Sequence, residues 1–196
     1  MLNLKIHPKE ILLEKLINVL KAKNLVTENM LSDRMAIADS GSPDNGARMV
    51  AKAWSDSEYK ALLLSDGRAA AEAIGVCVPW APPLGVLENT QDVHYLVVCT
   101  LCSCYPRWLL GYPRDWYKSS TYRSRAVREP RELLKEWGQN IPSGRNIRVV
   151  DSTADYRWMV LPQRPEGTEG WSEEQLVTII TPDSLVGAEI LKKIQL

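Results

Sequence analysis

The chain has 196 residues, 45% of them hydrophobic, which is enough for one domain with a real core and a separate arm. Its 24 Lys and Arg balance its 24 Asp and Glu, so the formal net charge is zero and a nucleic-acid partner is not expected. Met1–Lys5 lacks the apolar core and small-residue cleavage site of a signal peptide, and no apolar run approaches the ~20 residues needed to span a bilayer. The expectation is a cytoplasmic protein that makes no membrane contact.

Ile11, Leu12, Leu16, Val19 and Leu20 recur at three- and four-residue spacing and predict an amphipathic helix from about Pro8 to Lys23. Thr27 is placed to cap a second, short helix. The stretch Ser40-Gly41-Ser42-Pro43-Asp44-Asn45-Gly46 reads as a loop. Helical patterns follow over Ala47–Trp54 and Ser57–Leu64, and a last one ends at Gly75, a plausible C′ glycine. Residues 1–75 are therefore expected to form an N-terminal helical arm, whose apolar stripe must lie on its own core or on a partner subunit.

From residue 76 to 196 the pattern is α+β. Val93–Cys99 is rich in β-branched residues and predicts a buried strand. Tyr117–Arg128 and Arg131–Trp137 read as helices separated at Pro130, with Gly138 stopping the second. Ile147–Asp151 and Arg157–Leu161 read as strands. A turn-rich run, Pro165-Glu166-Gly167-Thr168-Glu169-Gly170, leads to Ser172 and Gln175, a capping box that opens a helix to about Ile180.

The predicted strand at Val93–Cys99 runs into Cys99-Thr100-Leu101-Cys102-Ser103-Cys104, which holds three of the four cysteines. Clustered cysteines in a reducing compartment ligate metal or do redox chemistry more often than they form structural disulfides. Cys77, in the apolar run Gly75-Val76-Cys77-Val78, reads instead as a small buried hydrophobe. A tetrahedral zinc site needs a fourth ligand, for which Cys77, His94 and His7 are the spare candidates. His94 lies on the predicted strand and reads as a packed or surface histidine. An iron–sulfur cluster has the same shortage, and a redox dithiol needs only one C-x-x-C.

A further arrangement brings the backbone into the donor set. The amide nitrogens of Ser103 and Cys104 lie between the Cys102 and Cys104 sulfurs. Deprotonated, they would complete a planar set closed by small chelate rings. Cys99 would then cap one axial position and leave the other open. Such strong donors suit a low-spin trivalent metal rather than tetrahedral zinc. They also make the sulfurs electron-rich and prone to oxidation to sulfenate and sulfinate. The small Ser103 suits a close approach of backbone to metal. Spacing alone leaves these chemistries open.

The run Val98-Cys99-Thr100-Leu101-Cys102-Ser103-Cys104-Tyr105-Pro106 resembles the metal-claw motif of the nitrile hydratase α-subunit family, which includes the γ-subunit of thiocyanate hydrolase. Ala47–Trp54, Leu87–Thr90, Trp116-Tyr117-Lys118, Arg125–Arg131, Leu161–Trp171 and Asp183–Gly187 are similar to other blocks of that family, so the resemblance spans most of the chain. It implies a helical arm followed by a layered α-β-β-α catalytic domain that carries the claw loop. It also implies that Cys99 is an axial thiolate, Cys102 a sulfinate and Cys104 a sulfenate, with Ser103 and Cys104 supplying amides. The threonine inside the claw and the tyrosine after it resemble the cobalt type, so the expected cofactor is cobalt(III), with iron(III) the less favoured alternative.

The implied reaction is hydration of a small-molecule nitrile to its amide. The metal would act as Lewis acid and the Cys104 sulfenate oxygen as nucleophile or base. The resemblance further implies a β-subunit whose arginines hydrogen-bond the sulfur oxygens, and an activator or metallochaperone for loading.

Two departures from the family pattern bear on substrate. Tyr105-Pro106-Arg107-Trp108 puts Arg107 where nitrile hydratases usually carry a pocket tryptophan, and thiocyanate hydrolase is similar to this chain there. An arginine favours an anionic or strongly hydrogen-bonding substrate, unless it faces a partner or a structural carboxylate. Trp80-Ala81-Pro82-Pro83-Leu84-Gly85 lacks the glutamine of the family's pocket segment and suggests a bulky or heteroaromatic nitrile, unless it is ordinary loop variation. Leu87–His94 is more similar to nitrile hydratase than to thiocyanate hydrolase. The favoured function is a cobalt nitrile hydratase α-subunit. A thiocyanate hydrolase metal subunit and a non-catalytic metal-binding or assembly protein are the alternatives.

Overall fold

A computed structural model of the chain describes residues 8–76 and 80–194, so the expectations for His7 and Cys77 lie outside the described residues. The chain divides into two compact units, Met1–Asp39 and Ser40–Leu196, and the expected arm over 1–75 spans parts of both. In the first unit, α1 covers Pro8–Ala22 and α2 covers Glu28–Asp39. Thr27 caps α2 as expected, its Oγ1 accepting from the Met30 amide at 3.2 Å. None of the α1 residues is buried, and its apolar stripe is exposed at Leu12, Leu16 and Val19.

The second unit opens with α3 (Pro43–Ser55), α4 (Ser57–Ser65) and α5 (Gly67–Ala73). Short polar side chains set their junctions. Asp56 ends α3 and caps α4, its Oδ1 accepting from the Glu58 and Tyr59 amides at 3.0 Å each. Asp66 does the same between α4 and α5, accepting from Arg68 at 3.1 Å and Ala69 at 3.0 Å. Gly75 takes a φ of +82°, the left-handed conformation expected of a residue that ends a helical stretch.

Four strands follow with helices between them: β1 (Leu84–Glu88), β2 (Val93–Val98), β3 (Asn146–Asp151) and β4 (Arg157–Leu161). They form two parallel pairs, β1 with β4 and β2 with β3. A parallel pair needs a long crossover. Between β2 and β3 it is made by α6 (Arg107–Leu110), α7 (Asp115–Lys118), α8 (Ser120–Arg128) and α9 (Pro130–Glu136). The chain then adds α10 (Glu173–Val177) and a 3-10 turn at Ser184–Val186.

The two strand pairs pack together through β2 and β4. Helices α4 and α5 lie on β1, with α3 and α10 behind them, while α8 and α9 lie on β2 and β3. The result is the expected helix–sheet–sheet–helix layering, filled by Leu96, Val97, Val98, Met159, Val160 and Leu161, none of them measurably exposed. At roughly 25 cal/mol per Å² of apolar surface, burying each such side chain contributes about 1.5–3 kcal/mol. No helix among the described residues is long and apolar enough to cross a membrane.

Several elements differ from the sequence reading for local reasons. The helix expected over Tyr117–Arg128 breaks at Ser119, which is extended (φ −66°, ψ 141°) and turns its Oγ to the Tyr122 amide at 3.1 Å to start α8. The last helix stops at Val177, where Thr178 Oγ1 donates to the Gln175 carbonyl at 2.7 Å. Its capping box at Ser172 and Gln175 is present as expected.

His94 is packed, not a ligand of the cysteine turn. It is 1% exposed near the start of β2. Its Nε2 is 2.7 Å from the Gly187 carbonyl, which can only accept, so Nε2 carries the proton. Nδ1 therefore accepts from Asn89 Nδ2 at 3.2 Å. Burial drives its pKa down to about 4. Gly187 makes the approach feasible: at φ +76° a Cβ would sit 1.8 Å from the Tyr95 carbonyl oxygen.

Candidate metal centre

Strand β2 ends at Val98, and the chain then turns so that the sulfurs of Cys99, Cys102 and Cys104 all lie within 4.8 Å of one another. The Cys99 and Cys102 sulfurs are 3.5 Å apart, and those of Cys102 and Cys104 are 3.2 Å apart. Cys99 is buried, Cys104 is half-buried and Cys102 is exposed, so the cluster is anchored at its base and open at its tip. The three expected sulfur donors are thus brought together by one turn.

Backbone and side chains of the second unit hold that turn. Parallel pairing places Val98 opposite Asp151 at the end of β3. From there Asp151 Oδ1 accepts from the Thr100 amide at 3.0 Å and Oδ2 accepts from Thr100 Oγ1 at 2.5 Å. On the other side of the turn, Tyr117 donates its hydroxyl to the Cys104 carbonyl at 2.8 Å. The Tyr117 ring packs edge-on against Tyr105, with centroids 5.2 Å apart. One residue up the strand, Tyr122 donates to the Val97 carbonyl at 2.5 Å.

The turn also directs amide groups inward. The Cys102 amide donates to the Cys99 sulfur at 3.3 Å. Hydrogen bonding with the Cys104 and Cys99 thiols, aided by the backbone at Ser103 and Cys104, draws the Cys102 pKa down to about 7. Burial pushes Cys104 up to about 12, the bond to Cys102 adds to this, and the Arg157 guanidinium opposes it. The pair therefore releases one proton readily and holds the second.

These groups fit a thiophilic metal ion. Three soft sulfurs lie within 4.8 Å of one another at the end of one strand. Among the described residues no fourth cysteine, histidine or carboxylate joins the cluster to complete a tetrahedral set. A second observation concerns Arg157, the first residue of β4. Its Nη1 is buried without a hydrogen-bond partner, although the side chain lines the same hollow as Cys104. A cation with an orphaned donor beside these sulfurs matches an anionic metal–thiolate group.

The hollow over the turn has a volume of about 450 Å³. Cys102, Ser103 and Cys104 form one wall, and Arg107, Lys118 and Arg157 bring three cationic side chains to it. Arg107 lies at the start of α6 with its guanidinium 3.7 Å from the centroid of the Tyr112 ring, and it donates to the Tyr112 hydroxyl. Trp80 is half exposed and does not figure among the described residues that line this hollow.

The sequence assigns no site role to Asp151, Tyr117, Lys118 or Arg157: Tyr117 and Lys118 fall in a family-like block, Arg157 starts a strand and Asp151 ends one. The β2–β3 register is what places Asp151 beside the turn, and no local motif carries it.

The sequence profile described as "Nitrile hydratase, alpha chain" matches residues 7–189. The cobalt-containing nitrile hydratase subunit alpha of Pseudonocardia thermophila is 46% identical over 180 residues, covering 90% of this chain and 88% of that protein. The thiocyanate hydrolase subunit gamma of Thiobacillus thioparus is 47% identical over 161 residues, covering 76% of this chain and 66% of its own length. Among solved structures, a double mutant of the Fe-type nitrile hydratase from Comamonas testosteroni Ni1 superposes with a TM-score of 0.84 at 46% identity, covering 94% of this chain and 90% of that one. A match over nearly the whole length, together with the sulfur cluster at the end of β2, decides the family: this chain belongs to the nitrile hydratase alpha-chain family.

Proposed function

We propose that this chain is the metal-bearing subunit of a cobalt nitrile hydratase that converts a nitrile to its amide. The observation that carries the reading is the convergence of three cysteine sulfurs within 4.8 Å at the mouth of an open hollow. Cys99, Cys102 and Cys104 would hold the ion through sulfur, and Ser103 and Cys104 through their amides. When bound, the trivalent ion supplies Lewis acidity toward the nitrile or water.

The protein's own groups do the rest. Asp151 and Tyr117 fix the two limbs of the turn. Arg157 offsets the negative charge gathered at Cys104. Cys104, as its sulfenate, would act through its oxygen as nucleophile or base toward the nitrile carbon, and Cys102 would be the sulfinate. The exposed face of Cys102 and the 88% exposure of Leu101 beside it support closure of the site by a β-type subunit. Loading by an activator and a cytoplasmic location complete the reading. The departure of Trp80–Gly85 from the family's pocket segment is what suggests a bulky or heteroaromatic nitrile.

A second reading, the metal subunit of a thiocyanate hydrolase, rests on Arg107, Lys118 and Arg157. Three cations around one hollow favour an anionic substrate. Assay of the chain co-expressed with its β-type partner separates the readings. Amide formation from nitriles without thiocyanate turnover supports the first, and thiocyanate turnover alone supports the second. Turnover of neither substrate by the fully metallated complex would assign a non-catalytic metal-binding or assembly role.

A further inference from the structure

At the far end of β2 from the cysteine turn lies a separate cavity of about 250 Å³. Its wall includes Arg145, which immediately precedes β3, together with Arg164, Lys193, Glu166, Glu189 and the saturated His94. A strand of this length puts roughly 20 Å between the two sites.

Arg145 is the unusual group. It is only 8% exposed, yet among the described residues its side chain makes one hydrogen bond, Nε donating to the Val93 carbonyl at 3.4 Å. Burial depresses its pKa and no neighbouring charge contributes, so no carboxylate stabilises this guanidinium among the described residues. Among the described residues its two terminal nitrogens have no hydrogen-bond partner, and the side chain lines the cavity. Arg164 is spent on the Trp54 carbonyl and on Thr168, and among the described residues it too has no carboxylate partner.

The acidic groups of the cavity are already engaged. Glu166 pairs with Lys193 at 2.6 Å, and Glu189 accepts from Thr181 Oγ1 at 2.6 Å. Two arginines, one lysine and two glutamates leave the cavity with a net excess of one positive charge. A buried cation without its counter-charge is unfavourable unless something supplies one. A planar fork of N–H donors is matched by an anion with two or more oxygens.

We propose that this cavity binds a small oxyanion, a carboxylate or inorganic phosphate, held by the terminal nitrogens of Arg145 with Arg164 and Lys193 supplying field. The site lies outside the sulfur cluster and does not depend on metal loading. Its ligand touches the start of β2, the strand whose other end carries the turn.

Titration calorimetry on the protein purified with its native partner chains tests this, at constant ionic strength, with sodium phosphate and sodium acetate as probes and chloride as control. The expected result is saturable binding of one anion per chain at millimolar concentration or below. Preference for phosphate or for acetate identifies the source of the oxyanion. Arg145→Gln should weaken binding at least tenfold. Lys193→Gln should weaken it severalfold and Glu166→Gln should strengthen it severalfold, opposite signs that a purely structural role would not produce. Should Arg145→Gln fail to fold, the two surface variants decide the matter. No saturable heat with either anion, or unchanged affinity in the folded variants, would overturn the proposal.

Discussion

Replacing Asp151 with alanine isolates the contact that ties the cysteine turn to the sheet. The carboxylate accepts both the amide and the hydroxyl of Thr100, at 3.0 and 2.5 Å. Hydrogen bonds to a charged group contribute about 1.5–3 kcal/mol each when well shielded. Asp151 is exposed, so solvent screening reduces this to about 1 kcal/mol per bond. Losing both should therefore favour the released turn by about 2 kcal/mol, close to a 30-fold change in its population. The assay is amide hydrogen exchange of Thr100, whose N–H is the donor concerned. Exchange should accelerate about 30-fold in Asp151→Ala. In Asp151→Asn it should accelerate only a few-fold, because the amide oxygen still accepts from Thr100 and its NH2 can donate to the hydroxyl. Cobalt retention should follow the same order. Wild-type exchange at Thr100 in Asp151→Ala would refute the claim that this carboxylate holds the turn.

His94 makes stability depend on pH in a defined window. Its folded pKa of about 4 lies below the ordinary 6.5, so the unfolded chain binds the extra proton first. The associated stability is full above about pH 6.5 and is lost as pH falls through about 4, about 3 kcal/mol in all. Urea midpoints measured across that range should fall less steeply in His94→Gln, and an unchanged slope would contradict the assignment. Gly187→Ala should destabilise the fold by at least about 3 kcal/mol, since its Cβ would collide with the Tyr95 carbonyl at a positive φ; a melting temperature within two degrees of wild type would oppose this. Arg107→Gln should lower kcat/KM for thiocyanate at least tenfold if that anion is turned over, with a far smaller effect on a neutral nitrile. Equal losses on both substrates would assign Arg107 to structure instead.

Much of this molecule is written in local signals. The capping residue Thr27, the glycines at 75 and 138, the capping box at Ser172 and the β-branched run before Cys99 each act over a few residues, and each appears in the structure where its chemistry requires it. The clustering of the three sulfurs was equally legible, because Cys99, Cys102 and Cys104 are neighbours in sequence and one turn brings them together. Strand β1 was harder to read. Leu84–Glu88 is too short to show a period, and its pairing with β4 identifies it. The groups around the turn were hidden for a related reason. Asp151 and Arg157 arrive from β3 and β4, far along the chain, and their proximity depends on parallel register. Lys118 reaches the hollow through the break at Ser119, which divides what periodicity reads as one helix.

The central claim is that the turn after β2 holds a trivalent metal through oxidised sulfurs and backbone amides. Metal analysis combined with intact mass of the complex purified from cobalt-supplemented cells tests it most directly. The account predicts one cobalt per chain and three added oxygen atoms, two on Cys102 and one on Cys104. Zinc in place of cobalt, with no oxygen added to either cysteine, would contradict it.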